Sequence, residues 1–150
     1  MSTETMNMER KLTIAIAAND TQKTELIEWS YANKKILEQQ LIVAPGTSAD
    51  ILQGVLLTPV IKLSPIGTGG IAELEKMLDA KEIDILIFFP SINEQTVSAE
   101  KFQALLNKVA EQNIIIAFNR STADVVLQSL AHDETTIVLD KEIATLKGIG

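Results

Sequence analysis

The apolar positions of this chain fall into short runs separated by longer stretches in which they recur with helical spacing. Leu12 to Ala17 (LTIAIA) is a run with β-branched residues that stops at Asn19-Asp20, and it predicts a strand. From Thr21 to Gln39 the pattern changes to a helical one, with Leu26, Ile27, Trp29, Tyr31 and Ile36 as its apolar positions. Leu41-Ile42-Val43 predicts a second strand, broken at Pro45-Gly46, with Thr47 placed to cap a short helix through Asp50, Ile51 and Leu52. Val60 to Leu63 predicts a third, ended by SPIGTGG at Ser64 to Gly70, and Ile71 to Ala80 reads as an amphipathic helix. Ile83 to Phe89 (IDILIFF) is nearly continuous rather than alternating, as in an interior strand covered on both faces. A polar loop over Pro90 to Val97 follows. Ser98 to Glu111 then predicts a helix with Phe102, Leu105, Leu106 and Val109 inward, and Ile114 to Ala117 a fifth strand. Beyond a turn at Asn119 to Thr122 come a helix to about Leu130, a short strand at Thr136 to Leu139, and a turn or helix from Lys141.

Strand-helix units joined by short connections imply parallel neighbours, because parallel strands need crossovers. The expected fold is α/β: a doubly wound three-layer α/β/α sandwich with a mainly parallel five-stranded sheet. One domain over residues 11–150, after a loose tail at residues 1–10, suits a chain of 150 residues. No apolar run approaches the roughly 20 residues that span a bilayer, and MSTETMNMER lacks the basic start and apolar core of an export signal. With no cysteine, disulfides and thiolate sites are excluded, and the one histidine, His132, lies in a polar stretch and is assigned no role. These features lead us to expect a cytoplasmic protein with no metal, no other cofactor and no membrane contact. A net charge of −7 repels nucleic acid, and aromatics at 4% leave no stacking platform for bases.

In a doubly wound sheet the ligand crevice lies outside the carboxyl ends of the strands. The loops to inspect are therefore Ala18 to Lys23, Ala44 to Ser48, Ser64 to Gly70, Pro90 to Val97 and Asn119 to Thr122. Gly46-Thr47-Ser48 and Thr68-Gly69-Gly70 offer backbone N–H groups and hydroxyls at helix starts, and Lys23 adds a positive charge. Taken singly, each loop reads as a cap or a turn; their convergence on one sheet edge makes a shared anion site an equal alternative. Arg120 fits either a second anion contact through its guanidinium or an ion pair with a nearby acid. Asp124 fits a helix-dipole charge or a ligand contact. Glu25, Glu28, Lys34 and Lys35 read as a solvated helix face, and Trp29 and Tyr31 as core or subunit-contact residues.

Several segments together resemble the methylglyoxal synthase family, from about Lys11 to Leu130. They are Ile14 to Asp20 with Lys23, Gly46-Thr47-Ser48, the Ser64 to Gly70 loop, Ile83 to Phe89, and Asn119-Arg120-Ser121-Thr122-Ala123-Asp124. The resemblance implies a site for dihydroxyacetone phosphate, from which enzymes of the family remove a carbon-bound proton with a carboxylate before phosphate leaves as methylglyoxal forms. Lys23, Thr47, Ser48, Gly69 and Gly70 match the family's phosphate-binding positions, with Thr68 beside them, and Asp20 matches an acid of its first loop and is the possible catalytic group. The departures fall at the reactive end. The family's Gly-Gly-Asp, whose Asp is the base, is Gly69-Gly70-Ile71 here; its first-loop His-Asp is Asn19-Asp20; and Ser98 and Lys101 fall where a His and a second Asp are normal. The glycine-rich loop also gains one residue.

The expected function is binding of a small phosphorylated metabolite or inorganic phosphate, with lyase activity weak or lost and a sensing or regulatory role. Similar domains serve regulation in carbamoyl phosphate synthetase and chemistry in a purine-pathway cyclohydrolase. One alternative is an active synthase with a relocated carboxylate, from Asp20 or Glu73. The other is a structural subunit, since the resemblance implies a homo-oligomer, commonly a hexamer.

Overall fold

The computed structural model describes residues 11–90 and 99–131 of the chain. Its strands are β1 (Thr13–Ala18), β2 (Leu41–Pro45), β3 (Val60–Leu63), β4 (Ile85–Phe89) and β5 (Ile115–Ala117). They form one sheet in the order β3-β2-β1-β4-β5, and every pairing is parallel. In register, Thr13 lies opposite Leu41 on β2, and Ala18 at the other end of β1 lies opposite Phe89 on β4. The chain steps outward from β1 to β3 and then returns to β4 on the far side of β1. The direction of winding therefore reverses between β1 and β4, which is where sheets of this kind open a crevice.

Six α-helices cover the sheet: α1 (Lys23–Ala32), α2 (Lys34–Leu37), α3 (Gly46–Val55), α4 (Gly70–Asp79), α5 (Ala99–Glu111) and α6 (Arg120–Ala131). Strand side chains alternate between the faces, so Ile14 and Ile16 of β1 enter one core with Leu26, Trp29, Leu52 and Leu127 from α1, α3 and α6. Ala15 enters the other with Leu74, Leu78, Leu105 and Val109 from α4 and α5. The expected three layers are thus present, and both faces of β1 and β4 are buried. Among the described residues no helix is long and apolar enough to cross a membrane.

Some element boundaries differ from those the sequence predicts. The helix expected over residues 21–39 is divided into a 3₁₀ turn at Asp20–Gln22, then α1, then α2. The break is at Asn33, whose side-chain amide donates to the Trp29 carbonyl at 2.9 Å and to Asp124 Oδ1 at 3.3 Å. Ile27 and Tyr31, expected on the apolar face, are 45% and 73% exposed, because the inward stripe runs instead through Leu26, Trp29 and Ser30. Helix α3 starts at Gly46 after an extended Pro45, so Thr47 lies in its first turn and is not its cap. Helix α6 starts at Arg120, with Asn119 Oδ1 accepting from the Thr122 N–H at 2.8 Å. The N-terminal tail, most of the 90–97 loop, His132, and the strand and turn expected at 136–139 and from 141 lie outside the described residues.

Trp29 joins the layers. It is fully buried, sets its ring edge-on to Phe89 with centroids 5.2 Å apart, and donates from Nε1 to Asp124 Oδ1 at 3.0 Å. Asp124 is therefore held by α1 as an internal acceptor. Replacing it with Ala leaves a buried indole N–H without its partner, a defect that costs about 1–3 kcal/mol. Asp124→Ala is expected to lower the unfolding free energy by that amount, read as a lower urea midpoint at an unchanged slope, whereas Asp124→Asn keeps an acceptor oxygen and most of the stability. Equal midpoints for Asp124→Ala and the wild type would show that the bond contributes nothing.

Candidate functional site

A cavity of about 420 Å³ opens at the carboxyl ends of β1 and β4, on the side of the sheet covered by α4 and α5, and extends to the start of α3. Three loops shape its polar side. The first follows β1. The Asn19 N–H donates to the Phe89 carbonyl at 3.0 Å, extending the β1–β4 pairing by one residue, and Asn19 Oδ1 caps the 3₁₀ turn through the Thr21 N–H at 3.2 Å. Asp20 stands at the cavity rim, largely exposed, with Lys23 Nζ 3.7 Å from its carboxylate. Lys23 itself is behind that rim and does not line the cavity.

The second loop is the turn from β2 into α3. Gly46 adopts a φ of +48°, and a Cβ there would meet the Cα of Pro65 at 3.2 Å. Positive φ and close approach together favour glycine. No side chain caps α3, so the N–H groups of Gly46, Thr47 and Ser48, which have no partner within the helix, define its positive end against the cavity. Thr47 is exposed there. Ser48 is buried, and its hydroxyl serves β1: it accepts from the Ala18 N–H at 3.1 Å and donates to the Ala18 carbonyl at 3.5 Å. That leaves the Ser48 N–H as its means of reaching an anion.

The third loop, residues 64–70, is folded on itself. The Pro65 carbonyl accepts from the N–H groups of Thr68 and Gly70 at 3.0 and 2.9 Å, and Gly69 takes a φ of +122°. A Cβ on Gly70 would lie 2.4 Å from the Ser64 carbonyl oxygen, so only glycine fits without displacing the backbone. Pro65, Ile66 and Gly67 face the cavity, while Thr68 and Gly69 are exposed away from it and Gly70 is buried against Ser64 and Pro65. Glu73 clamps the arrangement, accepting from the Ser64 hydroxyl at 2.5 Å and from the Ser64 N–H at 3.0 Å. The hydroxyl first, and then the backbone N–H, hold its carboxyl below the usual carboxylate range.

The opposite side is apolar. Ile71 and Leu74 of α4, Leu86 and Phe88 of β4, Phe102, Leu105 and Leu106 of α5, and Phe118 after β5 line it. Phe102 lies between the other two rings, with centroids 5.5 Å from Phe88 and 5.9 Å from Phe118. The sequence reading did not single out this wall. Its signal is that three of the chain's four phenylalanines, Phe88, Phe89 and Phe118, stand near the ends of β4 and β5, and the fourth, Phe102, in the first turn of the intervening helix.

Of the candidate residues, Asp20, Thr47 and Ser48 meet at the cavity, and Lys23, Thr68, Gly69 and Gly70 flank it. Arg120 does not join them. Its guanidinium lies 3.6 Å from Glu25 and 3.7 Å from Glu28, tying the start of α6 to α1 on the other face of the sheet. Lys101 is exposed on α5, and Ser98 lies outside the described residues. Among the described lining residues Asp20 is the one titratable group.

The Glu73 clamp has a pH signature. Its ionised form is the one that Ser64 holds, so its contribution to stability is full above the unfolded-state value of about 4.3 and is lost as pH falls through the lower folded-state value. Wild-type protein is expected to lose more melting temperature between pH 7 and pH 3 than Glu73→Gln, which starts lower at pH 7. Parallel losses in both proteins would show that the clamp adds no stability.

No protein-family model matches the chain. It is 34% identical over 117 residues to methylglyoxal synthase of Pseudoalteromonas atlantica, covering 78% of this chain and 87% of that one. Against the methylglyoxal synthase of Coxiella burnetii the identity is 35% over 120 residues, covering 80% and 84%. For that of Yersinia enterocolitica it is 33% over 140 residues, covering 93% and 92%. The crystal structure of methylglyoxal synthase from Elizabethkingia anophelis superposes with a TM-score of 0.71 at 29% identity, covering 79% of this chain and 78% of that one. Sequence and fold agree over most of both partners, and this chain belongs to the methylglyoxal synthase family.

Proposed function

We propose that this protein binds a small phosphorylated metabolite, with the phosphate at the start of α3, and has lost most or all of the lyase step, so that it acts as a metabolite receptor. The observation that carries the reading is the ionisable content of the cavity: Ile71, in the position the family resemblance gives to the base, lines it, and Asp20 is the one titratable group among the described lining residues. Isoleucine has no lone pair to accept a proton. Glu73, about half a helical turn beyond Ile71, is ionised and occupied with Ser64 through both oxygens, and it does not line the cavity. Loss of a positioned base removes about 10²–10⁴-fold in rate.

The binding end is better supported. The uncapped first turn of α3 offers N–H groups and a positive partial charge, with the Thr47 hydroxyl beside them. Lys23 adds a charge from behind the rim. The same reading includes a homo-oligomer, a hexamer by family resemblance, working in the cytoplasm.

The test is purified protein with dihydroxyacetone phosphate, followed for methylglyoxal and inorganic phosphate, with calorimetry on the same samples. Binding without turnover is expected, and Thr47→Ala or Lys23→Ala should weaken anion affinity while the unfolding transition stays in place. Unchanged affinity in both variants would overturn the cradle. Turnover on the order of 1–10³ s⁻¹ would overturn the loss of chemistry. Because Asp20 lies at the rim, such turnover abolished in Asp20→Asn would assign the proton transfer to that carboxylate.

A further inference from the structure

We infer that the ligand of this cavity carries an apolar body on its phosphate, as an aryl or branched alkyl phosphate monoester does, and is not a triose phosphate. The inference rests on the phosphate-end reading above and concerns the other end of the molecule. The cavity's volume of about 420 Å³ is in the range of roughly 300–1,000 Å³ that accommodates ligands larger than three carbons and a phosphate. Its two sides differ in kind. Against the polar arc of Asn19, Asp20, Thr47 and Ser48 stands a continuous surface of Ile, Leu and Phe side chains. The one polar side chain among the described residues of that far side, Gln103, donates its amide to Asn107 at 2.9 Å.

A triose phosphate bound at α3 would press a carbonyl and a hydroxyl against this surface, where among the described side chains only Gln103, already engaged with Asn107 through its amide nitrogen, has hydrogen-bonding atoms to replace those the groups find in water. Leaving polar groups unpaired on burial discriminates strongly against such a ligand, whereas an apolar body gains from the same contact. The distribution of phenylalanine points the same way. Phe89 is buried in the core, but Phe88 and Phe102 are partly exposed and Phe118 is 37% exposed, and these three are the rings beside the cavity. Aromatic surface left accessible at one concave place is how a binding face for an apolar group is built. Ile71 belongs to that surface. A change that removes a proton acceptor from the family's position also completes an apolar contact for a different ligand body.

Calorimetry on the full chain with inorganic phosphate, dihydroxyacetone phosphate, phenyl phosphate and benzyl alcohol tests this. Phenyl phosphate is expected to bind at least about tenfold tighter than dihydroxyacetone phosphate, with a negative heat-capacity change from apolar burial, and benzyl alcohol to bind weakly. Phe118→Ser, at a position outside the buried core, is expected to keep the cooperative unfolding transition, to weaken phenyl phosphate and to leave inorganic phosphate unchanged. Phenyl phosphate no tighter than dihydroxyacetone phosphate, with inorganic phosphate bound, overturns this inference alone. So does an unchanged phenyl phosphate affinity in Phe118→Ser. No binding of any phosphate overturns the phosphate-end reading as well.

Discussion

Parallel pairing on both sides of β1 is the constraint from which the rest of this molecule follows. A strand with β2 on one side and β4 on the other, buried on both faces, can carry only small or aliphatic side chains, and TIAIAA supplies them. Parallel neighbours also bring all five carboxyl ends to one edge. Backbone groups that leave the ladder there must find partners at once. Ser48 takes both polar groups of Ala18, and the N–H of Asn19 takes the Phe89 carbonyl. The polar residues beside the cavity are thus first of all the means by which the central strand ends.

After those requirements are met, helix-end donors remain beside the cavity among the described residues. The loop after β3 pairs the N–H groups of Ser64, Thr68 and Gly70 with Glu73 and Pro65, and the 3₁₀ turn after β1 is capped by Asn19, whereas the first turns of α3 and α4 have no side-chain cap. The positive end of α3 therefore faces the cavity with no side-chain cap to offset it. The described side chains of the apolar wall across the cavity offer that helix end no competing charge.

What the sequence makes legible here is what depends on neighbours along the chain. β-Branched runs at Ile14 to Ile16, Ile42-Val43 and Ile85 to Ile87 mark strands, and the glycines at 46, 69 and 70 mark sharp turns. What stays hidden depends on partners far away. The break at Asn33 needs Asp124, 91 positions on, and the inward turn of Trp29 needs the same carboxylate. Thr47 looks like a cap until Pro65 is seen against Gly46, which moves the helix start forward. Arg120 has the chemistry of an anion ligand, and Glu25 and Glu28, brought up by α1, occupy it. The aromatic wall arises only once β4, α5 and the end of β5 stand side by side, so no local pattern announces it.

The placement of Trp29 has an optical consequence. It is the chain's only tryptophan, it is dry, and its ring rests on Phe89, whose chain neighbour Phe88 points through the opposite face of β4 into the cavity. The indole is thus separated from the cavity by the thickness of one strand. The molecule carries an intrinsic fluorophore packed against the strand whose end opens on the cavity, a built-in reporter that needs no label.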